Sequence, residues 1–470
     1  MSYLAFDLGA SSGRAMLGFL EDGKIRLEEV HRFETPIIEE GERLFWNIDQ
    51  LWNDLQMGLR KALAISPDLK SLSVNSWAVD YVWLDAEGNA LQNAYCYRDP
   101  IRSKVIETAF EQISRNQVYA QTGIQFLPFN TVYQLIADVQ QSPELMAKAD
   151  TMLMIADYFN YKFCGEKAVE VSNASSTQLM DVHTKQWAKD LLEAYHIPSE
   201  KLPKIVPSGT ILGKAKLDGI ETNVQVIAGL SHDTGAAVAA VPADPSTGKN
   251  DDWCYISCGT WSLLGIESPT PILTDEAREA GFTNEAGIDG TVRFLKNLTG
   301  LWALQECVRE WKEEGQEVSY TELVEEARNA EANTDYLNLE APEFMMRGNM
   351  VHKIRAYCVQ NGMREPQTRG EITQLILQSI AFSYFKAVVE LEKLIGKRLR
   401  TIHLVGGGSQ NALLCEYTAS ECQKTVVTGP VEATALGNLA IQIRTMGDLP
   451  EGATVRRLVQ YSSDLRVYHG

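Results

Sequence analysis

Tyr-Leu-Ala-Phe-Asp-Leu-Gly-Ala-Ser-Ser-Gly-Arg, residues 3–14, decides how the rest of the chain is read. Residues 3–8 are mostly apolar and read as a buried strand, residues 9–13 as a turn, and Arg14 to Leu20 as the returning strand. That pattern is a β-hairpin and not a strand feeding a helix. Small residues in such a turn let backbone N–H groups close around phosphate oxygens, and Ser11 and Ser12 add hydroxyl donors. Asp7, at the strand end, suits Mg²⁺ held through water, and Arg14 suits phosphate charge. Standing alone, a Gly/Ser hairpin is more simply read as an ordinary turn.

The same device returns in the second half. Residues 241–252 (Val-Pro-Ala-Asp-Pro-Ser-Thr-Gly-Lys-Asn-Asp-Asp) read as a linker. After it come a strand at 253–257, a tight turn at Cys258-Gly-Thr260 and a strand at 261–266. A helix at 47–64 is predicted from Ile48, Leu51, Trp52, Leu55, Leu59 and Leu63 at helical spacing. Strands are expected at 72–75, 81–84 and 224–228, and residues 198–213, rich in Pro and polar side chains, are expected to loop over the surface. A long helix at about 373–394 leads through Gly396 into a strand at 401–405, three glycines and a helix from about Gln410. The reading is α/β, with two domains (1–244 and 245–470) that each open on a hairpin. A C-terminal helix is a candidate to pack back across the linker.

Two further segments carry chemistry. Ser231-His-Asp-Thr-Gly235 follows an apolar strand and opens a helix expected at 236–241. A helix start favours the ionised carboxylate, so Asp233 could accept a hydroxyl proton during attack on phosphorus. The simpler alternative is a helix cap. His232 either meets substrate hydroxyls or packs under the loop. Val405-Gly-Gly-Gly-Ser-Gln-Asn411 lets a flat ring or a phosphate lie against the backbone. It is not a dinucleotide fingerprint, because Asn411 stands where the third Gly belongs and no GxGxxG follows the first strand; a Walker A pattern is absent as well.

Composition narrows the partners. A formal net charge of −19 without any Lys/Arg-rich block disfavours nucleic acid and anionic membranes. The opening residues carry neither a basic region nor an apolar signal core, and no apolar run approaches the roughly 18–20 residues of a membrane span. Eight cysteines are scattered without a zinc pattern; Cys254 and Cys258 are spaced CxxxC, and Cys415 and Cys422 are seven apart. Reduced thiols in a cytoplasmic protein, monomeric or homodimeric, are expected.

Hairpin loop, Asp at a helix start, linker, second hairpin loop and Gly-Gly-Gly before a helix is a layout that resembles the actin/hexokinase/Hsp70 type of phosphotransferase, a ribonuclease H-like fold. Within that class the chain resembles the FGGY carbohydrate kinases, and among those the rhamnulokinases. The resemblance rests on DLGASSGR at 7–14, TGIQFLPFNTVYQL at 122–135, SNASSTQL at 172–179, SHDT at 231–234, SCGTWSLLG at 257–265, LKNLTGLWALQ at 295–305, VGGGSQN at 405–411 and GPVEATALGN at 429–438. It implies a two-domain fold with an interdomain active-site cleft, in which 1–244 binds sugar and 245–470 binds nucleotide. It assigns Asp233 as catalytic base, with His232, Thr234 and Asn297 beside the sugar. Ala10, Ser11, Ser12, Gly13 and Arg14 would bind ATP phosphates, Thr260 the phosphate chain, and Gln305 and Gly407 the nucleotide. Asn297 is also readable as a turn cap, and Gln305 as a solvated helix residue.

One departure stands out: rhamnulokinases carry Trp-Gly-Val-Asp where this chain has Trp77-Ala-Val-Asp80. Ala78 adds a methyl group to the sugar wall, and strain if its φ is positive. The implied reaction is ATP- and Mg²⁺-dependent phosphorylation of a 6-deoxy-ketohexose: L-rhamnulose at C1, with L-fuculose or another ketose as alternative. Other classes that the pattern leaves open are a non-catalytic sugar or nucleotide sensor and an Hsp70-like ATPase or actin-like filament protein.

Overall fold

The computed structural model describes residues 1–100, 102–243 and 252–470. They form two compact units: one of 1–240, 267–294 and 433–462, the other of 241–266, 295–432 and 463–470. Of the expected linker at 241–252, residues 244–251, and with them the 244/245 boundary, lie outside the described residues.

The first sheet contains β1 (Ser2–Leu8), β2 (Ser12–Glu21), β3 (Lys24–Glu34), β4 (Ser71–Ser76), β5 (Thr210–Leu217) and β6 (Ile220–Ala228), in the order β5-β6-β4-β1-β2-β3. β1 runs antiparallel to β2 and parallel to β4, which sets Asp7 opposite both Arg14 and Asn75. The second sheet contains β7 (Trp253–Cys258), β8 (Trp261–Ser268), β9 (Thr283–Ala286), β10 (Val292–Thr299), β11 (Thr401–Val405), β12 (Thr425–Thr428) and β13 (Arg466–Tyr468), in the order β9-β10-β8-β7-β11-β12-β13. Again the opening strand pairs antiparallel with its hairpin partner and parallel with the later strand, β11. In each sheet the next strand outward is parallel and the one after it antiparallel. From the hairpin through the parallel strands to the antiparallel edge, one strand order with one pattern of directions is therefore used twice, and the second sheet has one strand more.

β1 is buried along almost its whole length because helices cover both faces. On one side lie α1 (Ile48–Ile65), α2 (Thr131–Gln141), α3 (Ile155–Cys164) and their core, where Phe6 stacks on Phe163 at 5.8 Å. Next in the chain come α4 (Val171–Ser176), α5 (Asp233–Ala239), α6 (Trp302–Glu313), α7 (Arg369–Ile395), α8 (Ala412–Cys422) and α9 (Ala433–Thr445). α9 packs against β1, β4 and α5. Gly437 lies so tightly on the Ala236 backbone that any side chain there would collide. Gln442 bonds the Leu4 carbonyl (2.9 Å) and Ser71 Oγ (2.7 Å), and Asn438 bonds Asn75 (3.3 Å). α9 and the later helix Val455–Tyr461 thus belong to the first unit.

Three readings need correction. Residues 198–213 are not all loop: a short strand, Lys204–Val206, pairs with Ala168–Glu170, and β5 begins at Thr210. β5 carries register shifts between Ile211 and Gly213 and between Lys214 and Lys216, which break the alternation that marks a strand. α5 starts at Asp233 and ends at Ala239, earlier at both ends than expected. α7 is long and apolar enough to pass as a membrane span by length and composition, although Gln374, Gln378 and Ser379 interrupt its run. In the fold 67% of its apolar window is buried, as in a core helix. A Thr368/Glu371 capping box starts it, and Gly396 at φ 65° ends it.

Candidate active site

The turn after β1 is held by backbone bonds. Gly9 N–H donates to the Ser12 carbonyl (3.0 Å), Thr35 N–H to the Ser11 carbonyl (3.2 Å) and Thr35 Oγ1 to the Gly9 carbonyl (2.7 Å). Ser11 is exposed, and Ala10, Ser12 and Arg14 are half-buried. Gly13 is required for packing, since a Cβ there would drive into the Phe33 ring. Arg14 Nη2 donates to Asp7 Oδ2 at 2.8 Å, so the expected phosphate cation and the expected metal ligand are paired.

Asp233 is the first residue of α5; the cap position belongs to His232, whose side chain makes no cap bond. The Asp233 carboxylate accepts instead from Thr234 N–H (2.6 Å) and Thr234 Oγ1 (3.2 Å). Burial pushes its carboxyl above the usual range, and the charge of Asp7 adds to it. The helix start was expected to favour the anion, but a helix of seven residues is outweighed by desolvation. Ser76 bridges to His232 and lies opposite Leu8, so the register carries the Asp233 loop to the same end of the sheet as Asp7.

The 231–234 loop is suspended from buried carboxylates. Ser231 N–H and Ser172 N–H both donate to Glu170 Oε2 (3.0 Å each), Ser231 Oγ to Asp157 Oδ1 (3.1 Å) and His232 N–H to Ser172 Oγ (3.1 Å). Glu170 also accepts from the hydroxyls of Ser172 and Ser208. Burial raises both acids, and for Asp157 the Glu170 charge adds to it. His232 is further held through Nδ1, which lies 3.1 Å from Glu285 Oε2 and 3.2 Å from Arg293 Nη2. Its Nε2 is 3.5 Å from Asp233 Oδ1. Burial works to raise Glu285, yet the Arg293 guanidinium brings it down to about 2.

The wall after β4 is built around Asp80. This fully buried carboxylate accepts from Trp46 Nε1 (2.6 Å), Trp77 Nε1 (3.0 Å), Tyr97 N–H (3.0 Å) and Gln134 Nε2 (3.0 Å). Burial raises it to about 6 against those four donors. Ala78 does not take a positive φ; the strained position is its neighbour Val79, at φ 73°, an outlier for a β-branched residue. The Val79 carbonyl is fixed by Thr131 Oγ1 (2.8 Å) and Gln134 Nε2 (3.3 Å), so the 122–135 segment holds that backbone in place. Asn130 in turn bonds Gln178 (3.1 Å), which ties 122–135 to 172–179.

In the second unit, the turn after β7 closes with Gly259 N–H on the Trp261 carbonyl (2.8 Å), and Thr260 Oγ1 donates to Gln305 Oε1 (3.0 Å). Gly406, at φ 82°, and Gly408 press against Cys258, whereas Gly407 is exposed with nothing within 4 Å of its missing side chain. Packing explains the outer two glycines and leaves the middle one free to face a ligand. Predicted residues thus fall into two groups, Asp7–Arg14 with His232–Thr234, and Thr260 with Gln305. Asn297 stands half-buried on β10. Among the described residues no cluster of three His, Cys, Asp or Glu could hold a metal by itself.

Residues 2–239 match the N-terminal domain of the FGGY family of carbohydrate kinases, and residues 254–446 match its C-terminal domain. The chain belongs to the FGGY family of carbohydrate kinases. As an FGGY kinase it is an ATP-dependent enzyme acting on sugars, with ATP as phosphate donor. It is 39% identical over 472 residues to a rhamnulokinase of Halalkalibacterium halodurans, covering 100% of this chain and 99% of that protein. A Bacillus subtilis rhamnulokinase is 37% identical, with 100% and 95% covered. The fold is shared with a ligand-bound xylulose kinase from Lactobacillus acidophilus (TM-score 0.81, 17% identity, 100% and 93% covered). It is also shared with a Plasmodium falciparum glycerol kinase with ADP (TM-score 0.78, 17% identity, 100% and 94% covered).

Sequence reasoning passed over the acids and the arginine that hold this FGGY kinase's loop, Asp157, Glu170, Glu285 and Arg293. For Asp157 a signal existed, a lone acid inside the apolar run 152–159. Glu285 and Arg293 gave none, because charged residues eight apart beside a Gly-rich turn resemble any exposed hairpin.

Proposed function

We propose that this kinase transfers the γ-phosphoryl group of ATP to the C1 hydroxyl of L-rhamnulose. The observation that carries the substrate is full-length similarity to rhamnulokinases at 37–39% identity. The suspended Ser231–Thr234 loop supports the chemistry. Asp233 takes the proton of the primary hydroxyl as that oxygen bonds to the γ-phosphorus and the bond to ADP breaks. A base whose carboxyl is raised by burial accepts that proton readily. His232, Thr234, Asn297 and Ala78 contact the sugar in this proposal. Ala10 to Arg14, Thr260, Gln305 and Gly407 take the phosphates and nucleotide; sugar binding in 1–244 is thus completed by Asn297 from 245–470, and nucleotide binding in 245–470 by the phosphate turn of 1–244.

Asp7 is a hard oxygen donor at a strand end, the kind of group that holds Mg²⁺ through its water with phosphates completing the shell. When bound, that ion neutralises charge on the transferring phosphoryl group. Eight free cysteines and a net charge of −19 support a reducing cytoplasmic setting without nucleic acid or membrane partners.

The test is ADP release with Mg·ATP and a panel of L-rhamnulose, L-fuculose, L-ribulose, D-xylulose and glycerol. Preference for L-rhamnulose is expected. Preference for L-fuculose would move the substrate and point to Ala78; ATP consumption independent of any sugar, or none at all, would reject the reading.

A further inference from the structure

Nothing in the proposed reaction assigns a role to Glu285 or Arg293, yet both reach the same ring nitrogen of His232. They come from the neighbouring strands β9 and β10. Arg293 is fully buried. Its Nη2 lies 2.8 Å from Glu285 Oε2 and 3.2 Å from His232 Nδ1, and its Nε donates to the Ala286 carbonyl at 3.1 Å.

The two contacts on Nδ1 ask for opposite proton positions. A guanidinium has only donors, so the Arg293 contact requires Nδ1 to accept. The Glu285 contact at 3.1 Å would require Nδ1 to donate. Glu285 is already served by a charged donor at the shorter distance. Arg293 has hydrogens to spare, with Nη1 buried and lacking a partner. A proton on Nδ1 would set one more donor against that crowded cation. The acceptor role for Nδ1 therefore wins, and the ring proton goes to Nε2.

Nε2 faces Asp233 Oδ1 at 3.5 Å, and the side chain of His232 is 8% exposed. We infer that Arg293, steered by Glu285, is a positioning residue that gives His232 its Nε2–H form and so aims a hydrogen-bond donor at an acceptor oxygen of the sugar beside Asp233. The sugar part of this inference rests on the ketose kinase reading above; the ring assignment does not.

The deciding experiment is long-range ¹H–¹⁵N correlation on the full-length protein labelled with ¹⁵N-histidine, with His232 assigned by its loss in His232→Gln. The expected result is an Nε2–H ring in the unliganded protein, disturbed in Arg293→Met. An Nδ1–H ring would overturn the inference, because Glu285 would then set the tautomer. Removing Arg293 leaves a buried carboxylate unpaired and can unfold the protein, so Glu285→Gln supplies a second arm. Loosening Arg293 in this way is expected to raise KM for the ketose about tenfold with KM for ATP nearly unchanged. An unchanged ketose KM would overturn the positioning role. Wild-type protein that shows the Nε2–H ring but no ketose-dependent ADP release would sink the proposed function and leave the ring assignment standing.

Discussion

In the first unit the hairpin turn closes with Gly9 N–H on the Ser12 carbonyl (3.0 Å); in the second, Gly259 N–H closes on the Trp261 carbonyl (2.8 Å). Each turn follows the central strand of its sheet, with an antiparallel strand on one side and a parallel one on the other. The side chains differ. Two residues before Gly9 stands Asp7, paired with Arg14, whereas two residues before Gly259 stands the neutral Ser257. Behind the second turn the space is filled by Cys258 under Tyr384 and by the glycines of the 406–408 loop. One backbone device thus serves two chemistries. The first turn offers a carboxylate at the sheet end that also carries the Asp233 loop, and the second offers a hydroxyl, Thr260, with an open glycine nearby.

The largest effect should come from the acidic side. Asp233→Asn is expected to lower kcat by about 10²–10⁴-fold while ATP affinity, read by calorimetry, stays nearly intact. Near-normal turnover would remove the acid chemistry from the first unit. The same carboxyl predicts a pH dependence. A base works only when ionised, and burial raises this group, so kcat should fall on the acid side at a pH above the ordinary Asp range. A limb at or below that range would break the assignment.

Asp7→Asn tests the other half of the contrast. It should raise the Mg²⁺ concentration for half-maximal rate by about 10–100-fold, as loss of an outer ligand does. An unchanged Mg²⁺ curve would leave the two turns chemically equivalent. Gly408→Ala should cost about 1–3 kcal/mol in thermal or denaturant unfolding, because the added methyl meets Cys258 Sγ. Gly407→Ala should leave stability unchanged and act only on KM for ATP. The smallest effect is expected from Thr260→Val, about a tenfold loss in kcat/KM for ATP with the sugar KM retained.

Much of this was legible along the chain. Both hairpins could be read because apolar runs flank turns of small residues, and α1 and α7 because their apolar positions recur at helical spacing. The β5 edge strand was not, since two register shifts break its alternation. Asp233 could be singled out by its place between an apolar strand and a helix. The direction of its pKa shift could not, because a helix start and a buried pocket push a carboxyl in opposite directions.

By itself the sequence determined what local patterning can encode: two hairpin-led α/β halves, a Gly-Gly-Gly loop, and a carboxylate, Asp233, at a helix start. Tertiary structure decided what depends on residues far apart in the chain. It set Asn438 and Gln442 on the first sheet, Glu170 and Asp157 beneath Ser231, and Glu285 with Arg293 on His232. Those contacts span up to 438 positions. No periodicity records them, because a buried polar group is specified by the partner that satisfies it and not by its neighbours in sequence.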